Sequence, residues 1–312
     1  MTRFIALPLA AGLLSALLFL SVAKGIALGI LLSYVAPLPL FMAGLGLGIG
    51  PAVIAGAAGA GGVALAAGGA SVLPYAIAVA LPAMLVTERA LLWRTLPDGS
   101  QEWFPPGLVL ARLTAAGLAL ILIGTALVSD HPDGVRGWVA ELIGRTLEMM
   151  APEVTPERRQ MAVEWWTPLF PAMVLASWQV MAVVNATAAQ ALLVRMGHAR
   201  RPTPAYRELW LPDWLGVVLA ASAATAVLAQ GDPGYVAANL TAVVLVPFSL
   251  LGLAGVHRWA AGRPHARLAL AVTYGLLVLA QAWAAMAVAG LGVVRFWSMR
   301  FRRGRSGGGE EE

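Results

Sequence analysis

The chain has 312 residues, 59% of them hydrophobic and 12% charged, with no cysteine and a formal net charge of +5. Mean hydropathy is +0.77, and the charged share is about half of the roughly 25% found in ordinary soluble domains. That balance excludes a water-soluble globular domain, and the missing thiols exclude a disulfide framework, a thiolate metal site and a cysteine nucleophile.

The pI near 10.2 does not point to nucleic acid, because the basic residues stand at the ends of apolar runs, as membrane topology requires. Runs apolar enough to lie in hydrocarbon cover residues 4–32, 38–48, 51–68, 72–93, 107–129, 168–194, 214–229, 235–256 and 268–294. They predict an all-α polytopic transmembrane bundle of about eight or nine spans, with residues 1–300 forming one helical domain. The first run has the basic start and apolar core of a signal peptide. It continues past Lys24 without a cleavage site, so it reads as a retained helix.

The next stretch, "SYVAPLPLFMAGLGLGIGPA", carries Pro37, Pro39, Gly44, Gly46, Gly48, Gly50 and Pro51. A residue before proline is biased away from the helical region, so a buried turn, a short half-helix and a glycine-proline re-entry are expected. Irregular backbone at membrane depth is tolerated only where protein or a water-filled cavity satisfies the freed groups. Tyr34, Pro37 and Pro39 are therefore the first candidates for a cavity wall. The glycines of "GLGLGIG" follow no strand and read as packing and hinge positions, not as a phosphate loop. The small residues of 44–70 suit close helix approach, and the first helix has similar pairs at Ala6/Ala10, Ala11/Ser15 and Gly12/Ala16. Glu88 and Arg89 read as interfacial charges that snorkel.

Segment 130–166 reads as an external amphipathic insertion. "GVRGWVAELIGRTLEMM" places Val135, Trp138, Leu142, Arg145 and Met149 near one helix face, and "TPERRQMAVEWW" opens with a Thr-Pro helix start. Trp165 and Trp166 suit headgroup depth. A packed cap and a moving lid both fit this pattern. Farther on, "SWQVMAVVNATAAQ" sets Trp178 and Asn185 on one face, with Gln179, Thr187 and Gln190 beside them. Polar groups within a span cost free energy unless they face the interior or water. Trp178, Gln179, Asn185 and, in a later span, Asn239 thus join the candidate cavity. An interhelical hydrogen bond of about 1 kcal/mol is the plainer role for each asparagine.

Loop charges orient the stack. Residues 195–213, with Arg195, Arg200, Arg201 and Arg207, read as a cytoplasmic loop, and the external 130–166 then places the amino terminus inside. Near the carboxyl end, the loop holding Arg258, Arg263 and Arg267 and the later "RFWSMRFRRGR" both look cytoplasmic, although one apolar run separates them. Either that run turns back near Gly290 or Gly292, or another span is misassigned. Residues 301–312 read as a disordered tail.

No GxxxxGK[ST] loop is present, and no metal-ligand spacing links His131, His198, His257 and His265. Neither a metal, another cofactor nor an enzymatic role is expected.

From Trp178 onward, "WQVMAVVNA", "RPTPAYRELWLPDWL", "GYVAANLTAVVLVPFSLLGLAGVH" and "RFWSMRFRR" follow an order that resembles the YybS-like family of bacterial multispanning membrane proteins. The first half, with its long helix, proline turn, short "PLPLFMAGLGLG" and "GP" opening a glycine-rich helix, looks like the substrate-capture subunits of energy-coupling-factor vitamin transporters. The YybS-like family is distantly similar to those subunits. The resemblance implies a bacterial inner-membrane protein with Tyr34, Pro37 and Pro39 near a cavity mouth. It also implies Ala6, Ala10 and Ser15 facing a transporter scaffold that links to ATPase subunits. This chain has more spans than such subunits and no recognisable vitamin-binding residues. The expected function is a small-molecule-binding or transport-associated subunit without its own ATPase. The alternative is a membrane scaffold that recruits a cytoplasmic partner through its arginine-rich loop and tail, including Arg300, Arg302 and Arg303, each worth about 1 kcal/mol near an anionic leaflet.

Overall fold

A computed structural model describes residues 2–22 and 28–307, with side chains at 5–22, 28–280 and 283–301. Helices dominate because an apolar environment requires every backbone N–H and C=O to be bonded within the chain. Six stretches are long and apolar enough to cross a membrane: Gly29–Leu47, Ile49–Ala67, Gly69–Ala90, Pro106–Leu127, Pro156–Arg195 and Gly231–Ala260. Ile5–Leu20, Asp213–Leu228 and Ala266–Leu279 are apolar but shorter. Among the described residues, six spans of full length thus stand where about eight or nine were expected.

The chain divides into two compact units, one of Met1–Leu113 with Trp178–Ala205 and the other of Thr114–Ser177 with Tyr206–Glu312. In the first, α1 (Thr2–Leu20) is followed by α2 (Gly29–Val35), α3 (Leu38–Leu47) and α4 (Ile49–Ala67). The apolar run 4–32 is therefore not one helix. Ser21 Oγ stands 2.6 Å from the Leu18 carbonyl and 3.0 Å from that of Gly29, closing the gap between α1 and α2. Lys24 lies outside the described residues. The expected proline turn and short helix are present, and Gly48, at φ +113°, joins α3 to α4 in a conformation that favours glycine. Helix α1 lies so close to α4 that a Cβ at Gly12 would strike the Ala55 carbonyl oxygen.

After a short turn, α5 (Val72–Tyr75) runs into a π-helical stretch, Ala76–Ala80, and then α6 (Leu81–Ala90). In the wider π register each N–H reaches back five residues, and the Leu81 N–H bonds the Ala76 carbonyl in that way. The next donor in the series belongs to Pro82, which has no N–H, so the Ile77 carbonyl needs a partner from elsewhere. A hairpin follows, β1 (Trp93–Thr95) antiparallel to β2 (Gln101–Trp103), with Trp93 opposite Trp103. Nothing in the apolar pattern announces it. Its signal is the Asp98-Gly99 dipeptide, where Gly99 has φ +83° and Asp98 Oδ1 accepts from the Ser100 N–H at 2.9 Å and hydroxyl at 2.6 Å.

Helix α7 (Pro106–Leu127) begins in the first unit and ends in the second, and α10 (Phe170–Arg195) returns the chain to the first. The second unit holds α8 (Gly134–Met150), α9 (Pro156–Trp166), α11 (Asp213–Leu228), α12 (Gly231–Ala260), α13 (Ala266–Leu279) and α14 (Gln281–Gly307). Helices α8 and α9 lie where the two amphipathic patterns place them, and Thr155 caps α9 by accepting from the Arg158 N–H. The buried face of α8 is different from the one anticipated. Val135, Val139 and Ile143 are buried, while Trp138, Leu142 and Met149 are exposed. The Asp232 carboxylate fixes that rotation, accepting from the N–H groups of Val135 at 2.8 Å and Arg136 at 3.4 Å, where the helix start carries positive potential.

Helix α14 packs along α12 through glycine. A Cβ at Gly292 would strike the Phe248 carbonyl oxygen, and the Phe248 and Phe296 rings meet edge to face at 5.2 Å. Gly290 and Gly292 are thus inside a helix, so of the two alternatives the turn-back at these glycines is absent. The run 268–294 breaks at Ala280 instead, between α13 and α14. Helix α14 then continues through Gly307, into the segment for which disorder was expected. Residues 308–312 lie outside those described.

Candidate functional site

Helix α10 presents a buried stripe of Trp178, Ala182, Asn185, Ala189 and Leu193 at helical spacing. Its polar members are turned onto backbone carbonyls. Asn185 Nδ2 lies 2.8 Å from the Tyr34 carbonyl and 2.8 Å from that of Met181. Trp178 Nε1 donates to the Ile77 carbonyl at 3.0 Å, taking the place of the N–H that Pro82 lacks. Gln190 Nε2 donates to the Arg201 carbonyl at 2.9 Å, and Gln179 is fully buried.

Pro37 and Pro39 likewise remove two N–H groups just beyond α2. Two of the carbonyls at this break are met by side chains: Tyr34 by Asn185, and Ala36 by the Ser15 hydroxyl at 2.7 Å. The Ser15 oxygen in turn accepts from the buried Tyr75 hydroxyl at 3.0 Å. Tyr34, Pro37, Pro39, Trp178, Gln179 and Asn185 thus share one unit, and Asn185 binds the turn itself. The hydrogen bonds of Trp178 and Asn185 close interruptions of the backbone.

Asn239 belongs to the other unit. It accepts from the Ala172 N–H at 2.9 Å, and its Nδ2 lies within reach of the Pro168 carbonyl at 3.1 Å and the Tyr235 carbonyl at 2.9 Å. It fixes the start of α10 to α12, with the Tyr235 hydroxyl donating to the Thr167 carbonyl beside it. It does not join the Trp178 and Asn185 group.

An open cleft of about 640 Å³ in the first unit is lined by Gln101, Trp103, Arg200, Arg201 and Thr203 among others, and by none of the cavity candidates. Arg200 and Arg201, read from sequence only as topology charges, have a definite structural role. Arg200 Nη1 donates to the Leu47 carbonyl at 2.8 Å, at the end of α3. Arg201 Nη1 donates to the Ala90 carbonyl at 2.7 Å, at the end of α6, with its guanidinium 5.5 Å from the Trp103 ring centre. Carbonyls at a helix carboxyl end have no intrahelical donor and carry partial negative charge, so a cation is stabilising there. Their only sequence signal is an Arg-Arg-Pro run shortly after the helix-ending Gly197.

The partner-contact candidates separate. Ala6 and Ala10 are exposed, whereas Ser15 is buried and bonded within the unit. Arg300 pairs with Asp213 at 2.7 Å and lies over the rings of Phe296 and Trp297. The side chains of Arg302 and Arg303 lie outside those described. Glu88 does more than snorkel, pairing with Arg112 at 2.9 Å. Arg295, the first cation of the "RFWSMRFRRGR" run, ties α14 to the Leu251 carbonyl at 3.1 Å and the Arg207 carbonyl at 3.0 Å.

The chain belongs to a family described as predicted membrane protein (DUF2232), whose model matches residues 13–294. No curated protein and no solved structure matches it. The family and the six apolar helices make this a multi-pass membrane protein in contact with the lipid bilayer.

Proposed function

We propose that the protein is a small-molecule-binding or transport-associated subunit of the bacterial inner membrane, with a cytoplasmic amino terminus, no ATPase of its own and no catalytic role. One observation carries this reading: two interrupted helices in one unit, the α2–α3 break and the π stretch before α6, each stitched to a neighbouring helix by a side chain on a freed carbonyl. Discontinuous helices at membrane depth are characteristic of transporters, and π turns recur at functional sites. The exposed Ala6 and Ala10 supply the small-residue face that a membrane partner would use. Purification from native membranes should return ATPase subunits and a bound metabolite detectable by native mass spectrometry. Repeated recovery without either overturns the reading.

The second reading is a scaffold that recruits a cytoplasmic partner. It is favoured by α14, which carries its arginines on one helix through Gly307. Replacing Arg300, Arg302 and Arg303 by glutamine should then strip the partner from the purified protein without loss of helix content. An unchanged set of copurifying proteins overturns that alternative.

A further inference from the structure

We propose that the open cleft between the β-hairpin and residues 197–203 binds the phosphate headgroup of an anionic lipid. Two arginines, Arg200 and Arg201, line it, and none of its lining residues is acidic. The hairpin register produces that charge bias. Successive strand side chains alternate between faces, so Gln101 and Trp103 line the cleft while Glu102, between them, pairs with Arg94 across the hairpin at 2.5 Å.

Arg200 is exposed and uses Nη1 on the Leu47 carbonyl. It forms no ion pair among the described residues. A guanidinium has five N–H donors in a planar fork suited to phosphate, so the helix cap leaves donors for a ligand. Thr203 and Gln101 also line the cleft, and each carries a neutral donor.

Depth points to a lipid. Three apolar helices end beside the cleft, α3 at Leu47, α6 at Ala90 and α10 at Arg195, and the arginines that line the cleft cap the first two. Ends of membrane-length helices lie at headgroup level, where basic pockets between spans collect anionic lipids. Trp103, with its polar indole edge, belongs at the same depth. This inference is independent of any transported molecule, since it concerns bilayer lipid at the helix ends.

The test is native mass spectrometry of the full chain, supplied with phosphatidylglycerol or phosphatidylcholine of identical acyl chains. The wild type should retain phosphatidylglycerol with a preference of about tenfold, the size of one charge-assisted contact. R200Q should erase that preference, and R263Q, in the other unit, should leave it intact. If R200Q does not fold because α3 loses its cap, T203V and Q101L decide, each lowering the preference by about threefold. Equal retention of the two lipids by the wild type, or an unchanged preference in the folded cleft variants, overturns the proposal. Glycerol 1-phosphate held by lipid-free protein as firmly as phosphatidylglycerol also overturns it, assigning the cleft to a soluble phosphate ester.

Discussion

Helix α12 keeps its course for 30 residues despite Pro247, while the span that holds Pro37 and Pro39 breaks in two. A lone proline removes one N–H, and a long helix absorbs the loss. Two prolines in alternate positions remove two, and each also restricts the residue before it. The first unit turns that loss into architecture, since Ser15 and Asn185 meet carbonyls at its break. The α12–α14 seam of the second unit relies on close backbone approach, with Gly252 and Gly292 letting the two helices touch. The α2–α3 break is stitched by side-chain hydrogen bonds, and the α12–α14 seam by the absence of side chains.

That contrast can be broken from either side, most severely at the glycine seam. Gly292→Leu should cost about 3 kcal/mol or more, because the new side chain meets the Phe248 carbonyl and not a flexible group. Unfolding of the detergent-solubilised protein by SDS would measure it. On the stitched side, Arg201→Met removes a buried charged donor from the Ala90 carbonyl and should cost about 2–3 kcal/mol in the same assay. Asn239→Ala and Asn185→Ala should each cost about 1–2 kcal/mol, the former more, since Asn239 also accepts from the Ala172 N–H. Limited proteolysis should open the 114–177/206–312 unit first in the one variant and the other unit first in the second.

A finer test uses the π stretch. Trp178→Phe deletes the indole N–H together with part of the buried ring and should cost about 2–3 kcal/mol, of which about 1 kcal/mol is the hydrogen bond. In a Pro82→Ala background, the restored backbone donor can serve the Ile77 carbonyl, so the same substitution should cost about 1 kcal/mol less. Additive losses in the two backgrounds would show that the tryptophan does not stand in for the missing N–H. The smallest effect belongs to the hairpin, where hydrogen bonds from Ser100 hold the exposed Asp98 carboxyl below its ordinary value. A depressed folded pKa stabilises at pH above the unfolded value, and the contribution is lost as pH falls through the folded one. Amide exchange at Ser100 should therefore show increased opening only on acidification below the usual carboxylate range. An opening equilibrium that does not change with pH there would sink the assignment.

What the sequence discloses follows from how local its cause is. Helices α8 and α9 are legible because their starts and apolar spacing lie within a few residues, and the proline break is legible because proline acts on its immediate neighbours. The rotation of α8 is not, since the cap that sets it, Asp232, is distant in the chain. Asn185 and Asn239 stand out as polar groups in apolar runs, yet their spacing cannot say that the acceptors are carbonyls of a turn and of a helix start. Gly292 looks like a breaker and is a contact, because glycine serves both ends and only the opposing backbone decides between them. Arg200 and Arg201 disappear into the topology count for the same reason: the helix ends they cap are 153 and 111 residues away in the chain.

The bond between Trp178 and the π stretch also has an evolutionary consequence. A proline at 82 and an indole at 178 form one heritable unit, because either without the other leaves a carbonyl or a donor stranded. Relatives that lose the proline are released from keeping the tryptophan, and lineages in which the two change together would carry the record of this single hydrogen bond.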